Sequence, residues 1–319
     1  MKILFYGTAD ISARALKKLF ETKKHEIEVI TACDKPRGRG QQVGSCEVKG
    51  LAEIFALKSY QPEKVKDASF FETISKNSYD LGVVVSYGQI MSEEIIKLPA
   101  KGTINLHFSL LPKYRGAAPF SWALINGENV TGVTIMYVEK KLDAGDIILQ
   151  KEVPILPSDN AGTLLEKLTE TGIALLLEAV DLIGENKAER KKQDEALVTY
   201  FGKLPEAIFD IDWKKSALEI HNLVRGLSPV PGAFLRLNGK IIKILKTSLD
   251  CCGDFTGKPG EVKEVLKDHG LLVSTGKGGL LIERIKPEGK REMSVIDYLR
   301  GNPVVLGTVF ESRESGKSE

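Results

Sequence analysis

Three side chains in the middle of this sequence have the types and spacing for acyl transfer. The stretch Gly102-Thr103-Ile104-Asn105-Leu106-His107-Phe108-Ser109-Leu110-Leu111-Pro112-Lys113-Tyr114-Arg115-Gly116 supplies an amide and an imidazole, and Leu142-Asp143-Ala144-Gly145-Asp146 supplies a carboxylate. Successive side chains of a strand alternate between faces, so Asn105 and His107 point the same way while Ile104, Leu106 and Phe108 are free to bury the other face. Attack of an amine on an amide-like carbonyl builds charge on its oxygen, which a side-chain amide and an imidazolium stabilise. A carboxylate beside the imidazole favours its charged form and manages the amine proton. Asn105, His107 and Asp143 suit those parts. No serine or cysteine stands in an obvious nucleophile motif, so direct transfer without a covalent intermediate is the simpler chemistry. On spacing alone, an Asn-x-His pair is more often a hydrogen-bonded structural pair than a catalytic one.

These residues need a scaffold that presents a strand end to a loop. Residues 2–6, 27–32, 81–86 and 103–107 are short, β-rich and almost wholly apolar, the pattern of strands covered on both faces. Residues 11–20, 48–56 and 119–125 carry helical spacing between them, so the layout predicts a parallel α/β sheet. Residues 131–138 and 147–153 read as further strands. A long helix is predicted over 160–183, with Leu164, Leu165, Leu168, Ile173, Leu176, Leu177, Val180 and Ile183 as its apolar side. In such sheets ligands bind beyond the carboxyl ends of the strands, which is where 109–116 falls.

Residues 184–195 are charged and poor in apolar side chains, the composition of an exposed linker. Beyond it, 216–227 reads as a helix with Leu218, Ile220, Leu223 and Val224 as its apolar stripe. Residues 234–237 and 240–245 flank Asn238-Gly239, a type I′ hairpin signal, and short strands with turn residues continue through 261–285. Several short strands of this kind suggest a small barrel. His221 reads as a packing or capping residue rather than a catalyst, and His25 and His269 have no legible role.

Asn105-x-His107 with Ser109-Leu110-Leu111-Pro112-Lys113-Tyr114-Arg115-Gly116-Ala117-Ala118-Pro119, followed by Leu142-Asp143-Ala144-Gly145-Asp146, resembles the signature of the folate-dependent formyltransferases. The resemblance implies 10-formyltetrahydrofolate as formyl donor, no metal, and Asn105, His107 and Asp143 as catalytic residues. It implies a folate site made by Ser109, Leu110, Leu111 and Pro112, with apolar walls near Tyr87, Gly88 and Gln89. Ile211-Asp212-Trp213, Ile220-His221-Asn222 and Arg225 through Phe234 resemble the C-terminal domain that several of these enzymes carry. The expected α/β architecture is a Rossmann-like parallel-sheet formyltransferase domain over 1–186, a linker over 187–206 and a smaller OB-like β-barrel over 207–319 that binds tRNA.

The acceptor is the specific part of the reading. Asp34-Lys35-Pro36-Arg37-Gly38-Arg39-Gly40-Gln41-Gln42-Val43 is a glycine-loosened loop with three alternate cations. By composition it is a solvated charged loop or a phosphate-binding one. It is similar to the loop with which the methionyl-tRNA-specific branch of that family engages the tRNA acceptor end. That implies Lys35, Arg37 and Arg39 as tRNA contacts and methionyl-initiator tRNA as partner, formylated on the methionine α-amino group for translation initiation. A formyltransferase acting on a small-molecule amine, an amino sugar or glycinamide ribonucleotide, is the first alternative. An RNA-binding protein on a formyltransferase fold with lapsed catalysis is the second. The sequence departs from the family pattern at Ala9 and Ile11, where Pro and Phe are usual, and at Lys141 and Ala144, where Gly and Thr are usual. A lysine at 141 is disfavoured if that turn needs a positive φ.

Composition agrees with a cytosolic enzyme but would not by itself propose one. The chain has 319 residues, 42% hydrophobic and 28% charged, enough for a full core and for two domains. The apolar start over 1–7 is too short for a membrane span and lacks a secretory cleavage pattern, so no signal peptide and a cytoplasmic monomer are expected. Cys33, Cys46, Cys251 and Cys252 show neither metal-ligand nor disulfide spacing, so reduced thiols are expected. The net charge of +2 does not announce a nucleic-acid binder, but residues 236–300 hold 13 Lys and Arg against 9 Asp and Glu, compatible with a local basic face.

Overall fold

A computed structural model describes residues 1–37, 42–237, 239–249 and 257–311. The first half of the chain runs β1 (Lys2–Gly7), α1 (Asp10–Glu21), β2 (Glu26–Ile30), β3 (Lys35–Arg37), β4 (Gln42–Gly44), α2 (Glu47–Ile54), β5 (Ser59–Tyr60), α3 (Ala68–Ile74), β6 (Leu81–Val85), α4 (Glu93–Lys97), β7 (Thr103–His107), β8 (Arg115–Gly116), α5 (Pro119–Ile125), β9 (Val130–Tyr137) and β10 (Ile147–Pro154). It continues through α6 (Ala161–Gly184), β11 (Tyr200–Phe201), α7 (Ala217–Leu227), β12 (Ala233–Leu237), β13 (Lys240–Ser248), β14 (Val262–Leu266), β15 (Gly270–Ser274), β16 (Gly279–Pro287), β17 (Met293–Ser294) and α8 (Val295–Gly301). The chain forms two compact units, Met1–Gly116 with Gly132–Val153 and Lys167–Tyr200, and Ala117–Thr131 with Pro154–Glu166 and Phe201–Glu319. The contiguous stretches expected from composition, 1–186 and 207–319, thus meet units that interleave along the chain.

The first unit is built on a seven-stranded sheet in the order β10-β9-β7-β6-β1-β2-β5. β1, β2, β5, β6 and β7 run parallel, and β9 joins β7 antiparallel. Ile3, Leu4, Phe5 and Tyr6 have no exposed surface, which is why β1 reads as an unbroken apolar run and sits at the sheet's centre. The chain leaves β1 toward β2 on one side and returns to β6 on the other, so the carboxyl ends of β1 and β6 form the switch point where such sheets open a crevice. Two hydroxyls fasten those ends: Thr8 Oγ1 donates to the Tyr87 carbonyl at 3.1 Å and Ser12 Oγ to that of Val85 at 2.5 Å.

The strands expected at 2–6, 27–32, 81–86, 103–107, 131–138 and 147–153 are all present within a residue or two. Residues 35–37 and 42–44, expected as part of a loop, pair instead as an antiparallel ribbon with Lys35 opposite Gly44. Gly38 to Gln41, and with them Arg39, lie outside the described residues. The later part of α6 lies against β7 so closely that a Cβ on Gly172 would stand 2.8 Å from Leu106 Cδ1. Leu106 separates Asn105 from His107, so this helix seals one face of β7 and leaves the two polar side chains on the other.

The second unit carries an antiparallel sheet ordered β12-β13-β16-β15-β14, with β17 beside β16. It is a half-barrel rather than a flat sheet: the chain after α8 bonds to both edges, Glu311 N–H donating to Arg236 O at 3.2 Å and Val262 N–H to Thr308 O at 2.8 Å. Leu237 stands opposite Lys240, as a two-residue hairpin requires, and Gly239 has φ +71°; Asn238 lies outside the described residues. α7 starts on a capping box between Ser216 and Glu219 and lays Ala217, Ile220, Val224 and Leu227 into a core that includes Trp213. Leu218, expected in that stripe, is 56% exposed. Two helical positions before Ile220 it falls on the far side of the helix, and the stripe is completed by Ala217 and Leu227 instead.

Replacing Gly172 by valine puts two methyl groups where the Leu106 side chain lies. The expected result is a stability loss of about 1–3 kcal/mol, read as a lower urea midpoint at unchanged m-value.

Candidate active site

β7 places Asn105 and His107 on one face at the carboxyl edge of the parallel sheet, and the turn between β9 and β10 brings Asp143 to the histidine. His107 Nδ1 lies 3.8 Å from Asp143 Oδ2, with both side chains largely buried, 6% and 12% exposed. His107 Nε2 is 3.0 Å from the Tyr114 carbonyl. A carbonyl only accepts, so Nε2 carries the proton in that contact and Nδ1 is the nitrogen turned to the carboxylate. Asn105 is half-buried, and its side-chain amide has no hydrogen-bond partner among the described residues. Its donors are therefore free for a substrate oxygen.

The loop after β7 is fixed from β9. In the β7–β9 ladder His107 stands opposite Thr134. Thr134 Oγ1 donates to the Ser109 carbonyl at 2.7 Å and accepts from Leu111 N–H at 3.3 Å and from Gln150 Nε2 at 2.8 Å. Gln150 also donates to Leu111 O at 2.9 Å. Ser109 Oγ, fully buried, donates to Lys113 O at 2.8 Å, and the Leu111–Pro112 bond is cis. Among the expected folate residues, then, Ser109 turns its hydroxyl inward, Leu111 is buried, and Leu110 and Pro112 are half-buried.

Tyr87, Gly88 and Gln89 follow β6, the parallel neighbour of β7. They sit at the same edge of the sheet, but two of their side chains are engaged within the unit. Tyr87 is 5% exposed, edge-on to Tyr6 at 5.6 Å, and burial pushes its phenol far above its ordinary value. Gln89 Oε1 accepts from Val65 N–H at 2.8 Å, whereas Gly88 is exposed with φ +82°. Lys35 and Arg37 belong to the β3–β4 ribbon. No cluster of three or more His, Cys, Asp or Glu suited to a metal exists among the described residues.

The Asp143 turn is held more tightly than its sequence suggested. Asp143 itself takes the left-handed conformation, φ 49°, and Lys141 does not. Asp143 Oδ2 accepts from Gly116 N–H at 2.8 Å. A Cβ on Gly145 would stand 1.8 Å from the Tyr137 carbonyl oxygen, so glycine is required where the turn crosses β9. Gln193 Nε2 donates to the carbonyls of Asp143 and Gly145, each at 2.8 Å. Arg115, completely buried, gives its guanidinium to Gln193 Oε1 at 2.8 and 3.1 Å, to Glu195 at 2.9 Å and to Tyr200 Oη at 3.0 Å. Lys141 Nζ reaches the other oxygen of Glu195 at 2.6 Å. Lys141 and Arg115 together hold the Glu195 carboxyl below its usual range. Burial alone would lower the Arg115 pKa, but hydrogen bonds to Glu195 and Tyr200 outweigh it and hold the group above its ordinary value. Gln193, Arg115, Thr134 and Gln150 carry no sequence signal of these roles. Gln193 and Glu195 fall in a charged stretch whose composition shows no trace of their partners.

A doubly wound sheet with an amide, an imidazole and a carboxylate at its carboxyl edge presents the group types that acyl transfer to an amine uses. The family model described as formyl transferase matches residues 1–180, and that described as formyl transferase, C-terminal domain, matches 203–303. The chain belongs to the formyl transferase family. It is 44% identical to the methionyl-tRNA formyltransferase of Fusobacterium nucleatum over 308 residues, 96% of this chain and 99% of that protein. With the methionyl-tRNA formyltransferase of Clostridioides difficile it shares 43% identity over 311 residues, 97% of this chain and 100% of that one. Among solved structures, the N-formyltransferase from Helicobacter canadensis, crystallised with folinic acid and dTDP-3-aminofucose, matches with a TM-score of 0.67 at 21% identity, over 88% of this chain and 99% of that one. That likeness concerns the fold alone.

Gly145→Ala should displace the Asp143 turn from His107. The His107 ring nitrogens are then expected to shift in a 1H–15N NMR spectrum, while Gly202→Ala, which meets nothing within 4 Å, should leave them in place.

Proposed function

We propose that this protein transfers the formyl group of 10-formyltetrahydrofolate to the α-amino group of methionine carried by initiator tRNA. The observation that carries the chemistry is the convergence of Asn105, His107 and Asp143 at the carboxyl edge of β7, with the Asn105 donors unengaged. The full-length similarity to methionyl-tRNA formyltransferases supports the acceptor. In this reading residues 1–186 are the catalytic part, Ser109 to Pro112 with Tyr87 to Gln89 border the folate, and 187–206 link to a tRNA-binding barrel over 207–319. Lys35, Arg37 and Arg39 contact the acceptor end. The enzyme acts as a cytoplasmic monomer; no helix among the described residues is long and apolar enough to cross a membrane.

The neutral amine attacks the formyl carbon, forming the new C–N bond as the carbonyl π electrons move onto oxygen. Asn105 donates to that oxyanion, and the positive charge of a protonated His107 stabilises it further. Asp143, whose Oδ2 faces His107 Nδ1 at 3.8 Å, accepts the proton that the attacking nitrogen must shed. Collapse of the intermediate expels N10 of the folate, which takes a proton, so the reaction moves one formyl group and one proton in opposite directions.

Asn105→Ala and His107→Ala should each lower the transfer rate about 10²- to 10³-fold in folded protein. Asp143→Asn, which keeps the shape and removes the proton acceptor, should cost a similar factor. The assay mixes the protein and labelled 10-formyltetrahydrofolate with methionyl-tRNA, glycinamide ribonucleotide or a nucleotide-linked amino sugar. Label appearing only on a small amine would replace the tRNA reading, and no label on any acceptor would leave a binding protein.

The loop is tested by salt. Replacing Lys35, Arg37 and Arg39 together by alanine should reduce the log–log salt slope of tRNA affinity by about 0.7 for each single-strand phosphate no longer neutralised, with folate affinity unchanged. Equal slopes would return the loop to a solvated charge run.

A further inference from the structure

We infer that Gln193 is a positioning residue that sets the His107–Asp143 geometry, by clamping the Asp143 turn to the loop that accepts the histidine's Nε2–H. The inference rests on the catalytic reading above and extends it to a side chain that touches none of the reacting atoms. All four hydrogen-bonding positions of the Gln193 amide are used. Its nitrogen donates both protons, one to the Asp143 carbonyl and one to the Gly145 carbonyl, each at 2.8 Å. Its oxygen accepts twice from Arg115, from Nε at 3.1 Å and Nη2 at 2.8 Å. The orientation of the amide is not a free choice: a guanidinium has only donors and a peptide carbonyl only acceptors, so the flipped amide would face like against like on both sides.

One end of this clamp bonds backbone at Asp143, and the other bonds the guanidinium of the residue next to the histidine's partner. On one side are the carbonyls of Asp143 and of Gly145 two residues on. On the other is Arg115, the residue after Tyr114, whose carbonyl takes His107 Nε2 at 3.0 Å. Asp143 is in the left-handed region at φ 49°, a conformation that a non-glycine residue holds only when its surroundings determine it. Gln193 supplies that determination through the Asp143 carbonyl, as Gly116 does through its carboxylate. The segment is itself anchored: Lys191 and Ile147 exchange two backbone bonds of 2.8 and 2.9 Å. Clamp and turn therefore move together.

The test compares wild type with Gln193→Glu, Gln193→Met and Lys192→Ala, a neighbouring exposed position. Gln193→Glu keeps the acceptor toward Arg115 but sets oxygen against both turn carbonyls. Gln193→Met is close in shape and donates nothing. Both should lower kcat about 10- to 100-fold, the scale of a small misplacement of a reacting group, with KM for the folate within about threefold and Lys192→Ala unchanged. If Gln193 acts through Asp143, either change made in an Asp143→Asn background should cost little further, since residues that work through one another are not additive. The carboxylate 13C resonance of Asp143 should move in both Gln193 variants without any substrate. The inference is overturned if the folded variants keep kcat and the Asp143 resonance, or if their losses add fully to that of Asp143→Asn. Wild-type protein that transfers no formyl group would overturn the catalytic reading instead, and the resonance would still decide whether Gln193 positions Asp143.

Discussion

The register of one strand pair governs the geometry of the site. β7 runs parallel to β6 and antiparallel to β9, with His107 opposite Thr134. That pairing puts a single hydroxyl under the loop that follows β7, where it gives one hydrogen bond and receives two. A slip of one residue would turn Asn105 and His107 into the face that α6 covers and would carry Thr134 away from the loop at the same time. The close approach at Gly172 opposes such a slip, because the helix seals that face at Leu106 and an amide or imidazole brought there would bury polar atoms. Packing on one side of β7 thus specifies chemistry on the other.

A second constraint is the buried guanidinium of Arg115. An unpaired charge in that position would cost several kcal/mol, more than most single interactions supply. It is satisfied by Gln193, Glu195 and Tyr200, all from one short stretch of the chain. The arrangement couples the segment to the candidate site, because Gln193, one of the side chains that satisfy Arg115, also holds the Asp143 turn.

The parts of this architecture legible in the sequence are those with a local signal. Strands such as 2–6 and 103–107 announce themselves as apolar runs because both faces are covered, and α7 announces its start through Ser216 and Glu219. The short elements β5, α3 and α4, two to seven residues each, carry no periodicity long enough to read. Leu218 is misplaced by the apolar pattern because an apolar residue counts equally on either side of a helix until its angular position is worked out. Asn105, His107 and Asp143 are legible as types in a motif, but the 3.8 Å that joins the last two depends on a turn fixed by residues far along the chain. Gln193 and Glu195 sit in a stretch that composition reads as solvated, and hydrogen-bond partners remote in sequence leave no mark on composition.

Lys141 illustrates how the network absorbs a departure from the family pattern. A glycine there would suit a left-handed turn residue, and lysine would be strained in that conformation. The turn meets this by placing its left-handed residue at Asp143, and aspartate tolerates that region better than most because its short polar side chain bonds locally. Here the side chain accepts from Gly116 N–H. Freed from the backbone constraint, Lys141 extends to Glu195, which already receives Arg115, so the carboxylate is shared by two cations. Both side chains of the pair are exposed, and it is worth little by itself. Its effect is geometric: it adds a side-chain tether at Lys141 to the two carbonyl bonds that Gln193 makes to Asp143 and Gly145. The departure at 141 therefore falls on the supports of the site and leaves the reacting groups as the family motif has them.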